Sequence, residues 1–142
     1  MNKADKLKLM SNTANCYYIA YTRCMEQRPI DFKTFQMLPI PALTCLAFSC
    51  EVYLKTLLLY FGSSIPNTHD LQKLFDLLPE NIRDDIQKAY NNPSKFTNDL
   101  DDIKEYFLTS RYLYEEEAGN FSFVFILWLC EKLKEVVDNQ IN

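Results

Sequence analysis

Glycine is almost missing from this chain, with Gly62 and Gly119 the only two in 142 residues. Phosphate-cradling loops need closely spaced glycines so that backbone N–H groups can approach the anion, and no such loop can be built here. Histidine is rarer still. His69 stands alone, and the five cysteines show no C-x-x-C spacing. A zinc ligand set cannot be assembled from these, and neither a metal nor a cofactor is expected. There is no H-E-x-x-H and no G-x-S-x-G, so zinc peptidase and serine hydrolase chemistry lack candidates. Sustained alternation of β-branched residues is also lacking, which argues against a sheet protein. Positive charge is not in excess: the net charge is −4, so only a local basic site could hold nucleic acid.

What the chain does have is apolar mass. Hydrophobic residues make up 48% and aromatics 14% of the sequence. A chain this long can bury close to ~70% of its unfolded surface, so residues 1–142 read as one all-α domain. Pro41 to Gly62, PALTCLAFSCEVYLKTLLLYFG, is apolar nearly all round, as befits a helix surrounded by other helices. Thr44, Glu51 and Lys55 interrupt it at i, i+7 and i+11, within about 20° of one another on one edge. Placing Glu51 and Lys55 mid-bilayer would cost ~2.5 to 3.5 kcal/mol each, so a membrane span is not expected. The lysine-bearing start, MNKADKLKLM, has no continuous apolar run behind it, so no signal peptide is expected. The odd cysteine count inside apolar runs fits buried free thiols in a reducing cytoplasm.

Residues 3–27 carry Leu7, Met10, Ala14, Tyr17, Tyr18, Tyr21 and Met25 at three- and four-residue steps, the mark of an amphipathic first helix. The tyrosines are core and rim packing or, alternatively, a base-stacking platform. Arg28 to Ile40, with Pro29 and Pro39, reads as an ordered loop with one helical turn, or as a partner-contacting surface. After Gly62, Asn67 or Thr68 is placed to cap a short helix with Leu71, Leu74, Phe75 and Leu78 inward. Pro79 opens another, with Ile82, Ile86 and Tyr90 on the core side. A fourth long helix is expected from Thr97 or Asn98, its stripe running Leu100, Ile103, Phe107, Arg111. Its end is crowded by Glu115, Glu116 and Glu117, read as solvated acids. The last helix, about Asn120 to Gln140, opens on the uncharged run FSFVFILWLC. That run exceeds what one buried face requires, so a homodimer is expected.

Three features could carry chemistry. Glu51 and Lys55 stand at i, i+4, which makes a surface ion pair or, on so apolar a helix, a partly buried functional one. His69 is a capping or packing residue, or else a reactive group. Arg111, on a core-facing line, needs a carboxylate, with Glu51 the expected partner, unless it is a ligand contact.

The segments CEVYLKTLLLYFG, THDLQKLFDLLP and RYLYE, in this order across Leu43 to Glu115, resemble the HEPN superfamily of small prokaryotic all-helical domains. The resemblance implies an antiparallel bundle of about five helices, usually dimeric. It also implies RNA cleavage, nucleotide binding, or a two-protein module with a nucleotidyltransferase-type partner in defence or toxin–antitoxin systems. Ribonucleases of the superfamily carry Arg-x4-6-His. Counted from Arg111, that His would fall on Glu116, Glu117 or Ala118, and none is His. The chain therefore resembles the branch lacking this motif. What carries over is a polar cluster of Glu51, Lys55, Arg111 and Tyr112, joined by His69 with Asp70. The expected function is a non-catalytic binding module for a nucleotide, an RNA phosphate or a nucleotidyltransferase-type partner. The alternatives are a divergent metal-independent ribonuclease using His69 and Arg111, and a protein-interaction scaffold.

Overall fold

In the computed structural model, which describes residues 1–115 and 121–141, Lys3–Cys24 (α1) and Pro39–Tyr60 (α2) form an antiparallel pair. Small residues let them approach closely: Ser49 Oγ donates to the carbonyl of Ala14 at 2.8 Å, and both residues are buried. Leu46, Ala47, Cys50, Tyr53, Leu54, Leu57 and Leu58 of α2 are fully buried. This apolar helix is long enough to cross a membrane, yet 72% of its most apolar window is buried inside the chain itself. Its neighbours explain the all-round hydrophobicity. α2 ends in a Schellman arrangement, with Ser63 N–H donating to Leu58 O and Gly62 N–H to Leu59 O. Gly62 takes φ +78°, where a side chain would be strained.

The connection between these helices is a hairpin rather than a loop with a helical turn. Arg28–Pro29 (β1) pairs antiparallel with Phe35–Gln36 (β2), Arg28 facing Gln36. Asp31 accepts the N–H groups of Lys33 and Thr34 at 2.8 and 2.9 Å, folding the tip; these bonds hold its carboxyl below the usual range. A carboxylate closing its own turn competes with helix formation.

Leu71–Asp76 (α3) and Glu80–Ala89 (α4) bury Leu71, Leu74, Phe75, Ile82 and Ile86 on the expected stripes. The cap of α3 is Asp70 itself, whose side chain accepts from Gln72 N and Lys73 N at 2.9 and 3.1 Å. Neither Asn67 nor Thr68, the two expected caps, fills that place; Thr68 instead accepts the Asp70 N–H at 3.1 Å.

The expected fourth long helix is two helices, Phe96–Ile103 (α5) and Tyr106–Arg111 (α6). The break has a visible cause: the carbonyl of Lys104 accepts the N–H of Leu71 at 3.0 Å, fastening the start of α3 instead of extending the ladder. Leu100 and Ile103 are buried as expected, but the period does not run on to Arg111, which is exposed. Glu115 closes a 3-10 turn at Leu113–Glu115 and is exposed. Glu116, Glu117, Gly119 and Asn120 lie outside the described residues.

Val124–Ile141 (α7) completes the bundle against α2. Phe125, Ile126, Leu129, Cys130, Leu133 and Val137 are buried, and Phe121, Phe123, Leu127 and Trp128 pack against the core. The uncharged run is thus absorbed largely by the chain's own core, so its burial does not require a second copy. Tyr90 joins this layer, its ring 4.8 Å from Trp128 and 5.1 Å from Phe125.

The Tyr90 hydroxyl donates to Asp99 at 2.6 Å, and that bond, with burial, pushes its pKa up to about 12 from an ordinary 10.0. A hydroxyl whose pKa is raised on folding contributes fully below the unfolded value and loses that contribution as pH climbs through the folded one. Stability is therefore expected to fall between pH ~10 and ~12. Tyr90→Phe should show a smaller change in urea midpoint across this window than the parent chain. An equal change would remove Tyr90 from the account.

Candidate functional site

The polar line on α2 organises the site. Glu51 is only 2% exposed, yet both of its carboxylate oxygens are engaged. Lys55 Nζ lies 3.0 Å from Oε2, and Nδ1 of His69 lies 2.7 Å from Oε1. The lysine side chain is 18% exposed and the histidine 40%, so a buried carboxylate is balanced by groups that still reach water. A carboxylate acceptor places a proton on Nδ1 and orients the ring, with Nε2 directed away from Glu51. His69 is thus neither the cap of α3 nor mere packing. It is the far end of a Lys55–Glu51–His69 chain.

Thr44, first member of the same line, holds α6. Its hydroxyl shares a 2.7 Å hydrogen bond with that of Ser110, and Phe48 stacks on Phe107 at 5.0 Å. Phe107 then meets His69, centroid to centroid 4.8 Å. On α6 the guanidinium carbon of Arg111 sits 4.4 Å from the Phe107 centroid, and Arg111 Nε donates to the Phe107 carbonyl at 3.1 Å. Both groups therefore touch one ring, and the imidazole and guanidinium are at most the sum of those ring distances apart, about 9 Å.

The expected Arg111–Glu51 bridge does not form. Glu51 is taken by Lys55 and His69, and Arg111 turns outward over Phe107 with no carboxylate partner among the described residues. A cation on an aromatic face keeps its water-exposed N–H groups available, which a bridge would not. Tyr112 follows, 5.5 Å from the Arg111 guanidinium carbon and exposed, in ring contact with Tyr114. Asp70 is next to His69 but serves α3 as its cap, positioning the histidine.

The sequence reading did not single out Phe107 and Ser110 as site residues. Phe107 stands four before Arg111, the spacing that stacks side chains on a helix, so a signal existed. Ser110 gave none, because its partner lies on another helix. For a metal the cluster offers one imidazole and one carboxylate with both oxygens occupied, short of the four ligands of a structural zinc.

The model of the HEPN domain matches residues 47–139, more than half of the chain. No match was found to a curated protein or to a solved structure. The matched span holds Glu51, Lys55, His69, Phe107 and Arg111, and the structure around them is an all-α bundle. This chain belongs to the HEPN domain family.

Proposed function

We propose that this HEPN domain is a non-catalytic binding module whose site on Phe107 takes the phosphate of a nucleotide or an RNA strand. The carrying observation is Arg111: an exposed guanidinium, held by its own helix on an aromatic face, without a carboxylate partner among the described residues. Arginine offers a planar fork that matches phosphate oxygens, and a desolvated aromatic floor strengthens it. His69 supplies a second polar group from across the same ring, and Tyr112 an exposed face for a base.

The test is fluorescence anisotropy with a labelled single-stranded RNA and a labelled nucleoside triphosphate, at two salt concentrations. Saturable binding that weakens with salt is expected, since the net charge of −4 leaves only a local site to provide it. No binding to either probe at the lower salt overturns the reading. The same mixtures, run on a gel, separate a second reading. A histidine oriented by a buried carboxylate is also the arrangement of a general base, and His69 could act on a ribose hydroxyl with Arg111 on the phosphate. Strand loss abolished by His69→Ala would replace binding with cleavage as the function.

A homodimer and a nucleotidyltransferase-type partner in a defence or toxin–antitoxin module remain part of the proposal, carried by the family. For the dimer we assign the hairpin rather than α7: Ile30, Phe32 and Phe35 are all exposed on it, with Leu38 and Ile40 beside them. Light scattering should give twice the chain mass, and Phe32→Ser with Phe35→Ser should halve it. A monomeric parent chain refutes this assignment.

A further inference from the structure

Away from the Phe107 site, the first half of α1 and the ends of α2 and α7 border a cleft of about 470 Å³, a size typical of small-molecule sites. We propose that this cleft is a second binding site, taking a small amphipathic carboxylate whose acid group meets a line of donors on α1. The line is Lys8, Ser11, Asn12 and Asn15, at i, i+3, i+4 and i+7, so a single face of the helix brings all four to the cleft. Leu7, Tyr60 and Ile141 supply an apolar wall for the rest of the ligand. Lys3 Nζ donates to the Tyr60 carbonyl at 3.3 Å and ties together two of the helix ends that frame the opening. The cysteines, expected to be buried, take no part. Cys50 and Cys130 are sealed in the core, but Cys24 and Cys45 are half-buried, Cys16 is exposed, and none of the five lines the cleft.

Ser11 is the residue that points to a ligand. It is only 7% exposed, yet its hydroxyl has no hydrogen-bond partner among the described residues. Hydroxyls on helices commonly turn back to a carbonyl one turn earlier, and Thr13 and Thr56 do so at 2.8 and 2.6 Å. Among the described residues no sealed polar side-chain atom lacks a partner, so the Ser11 oxygen is not sealed: it opens on the cleft that it lines. A polar group so deeply placed costs free energy until something bonds to it. Asn15 is held ready beside it. The hydroxyl of the fully buried Tyr53 donates to Asn15 Oδ1, which fixes the amide and leaves its NH2 as a donor. Lys8 is exposed and has no carboxylate partner among the described residues, and no described lining residue is acidic. One ammonium and several neutral donors match the single charge of a carboxylate, and the apolar wall matches a hydrocarbon body. None of these residues belongs to the site on Phe107, and phosphate binding there neither needs nor excludes a ligand here.

The experiment is a titration of the isotope-labelled full chain with octanoate, read by amide chemical shifts and repeated with octylamine, octanol and octyl phosphate. Saturable shifts are expected with octanoate at millimolar concentration or below, centred on residues 7–15 and on the side-chain NH2 groups of Asn12 and Asn15. Octanol should bind more weakly and octylamine not at all. Ser11→Ala should weaken octanoate binding by about 10-fold without lowering Tm, because the hydroxyl has no bond within the described chain to lose. Lys8→Met should weaken it several-fold. The proposal is overturned by absent or unsaturable shifts, by shifts centred on the hairpin, or by octanol or octylamine acting as strongly as octanoate. Tighter binding of octyl phosphate, or a Ser11→Ala chain that binds octanoate like its parent, overturns it equally. The four probes on the parent chain decide even if a variant fails to fold.

Discussion

Glu51→Ala is expected to destabilise the chain by about 3–5 kcal/mol, the cost typical of removing one partner from a buried pair. The residue is nearly fully buried, and its two oxygens hold Lys55 at 3.0 Å and His69 at 2.7 Å. Truncation leaves a charged amine with 18% exposure, an unanchored imidazole and a cavity in the middle of the central helix. Partial exposure of Lys55 puts the loss at the low end of that range, since the amine can recover some hydration. Against a total stability of ~5–15 kcal/mol this is a large fraction. Urea unfolding measures it directly. Replacing Glu51 and Lys55 together by methionine should recover much of the loss, because no unpaired charge then remains. A single-variant loss below ~1 kcal/mol would mean that the pair behaves like a solvated surface bridge, and the account of the site would have to change.

Arg111→Ala should do the reverse, leaving stability within about ±0.5 kcal/mol while lowering affinity for a phosphate-bearing ligand. A hydrogen bond to a charged group contributes ~1.5–3 kcal/mol, which is about 10- to 150-fold in Kd. The side chain is exposed, and among the described residues it makes a hydrogen bond to its own helix and ring contacts with Phe107 and Tyr112, so little of the fold depends on it. Arg111→Lys should fall between, keeping the charge but losing the fork. Anisotropy and thermal melts on the same samples separate the two effects. Unchanged affinity with a lowered Tm would make Arg111 structural and remove the main support for a phosphate site.

How much of this was legible beforehand differs from residue to residue. The two long helices and the stripes of α3 and α4 follow from spacing, because an apolar face with a 3.6-residue period is a local property. Glu51 and Lys55 were visible for the same reason: two charges on one edge of an apolar helix stand out. Arg111 shows where period alone fails. Extrapolated from Leu100 it faces the core, but the carbonyl of Lys104 turns aside to the N–H of Leu71, and the restarted helix α6 presents the arginine to solvent. The competing partner is 33 positions away in the chain and leaves no trace in local pattern. The uncharged start of α7 hides a tertiary feature in the same way, since Tyr90 and Phe96 pack on its Phe125 and Trp128 from within the same chain.

The sequence by itself determined an all-helical chain, a buried central helix and the charged edge on it, and it carried enough ordered similarity to point to the HEPN family. Composition and short-range spacing suffice for these. Only the tertiary structure decided what the edge holds: that Glu51 closes on His69, that Thr44 seats α6 through Ser110, and that His69 and Arg111 each rest on Phe107. These contacts join residues on different helices, and their geometry depends on where each helix breaks and how closely small residues let it pack.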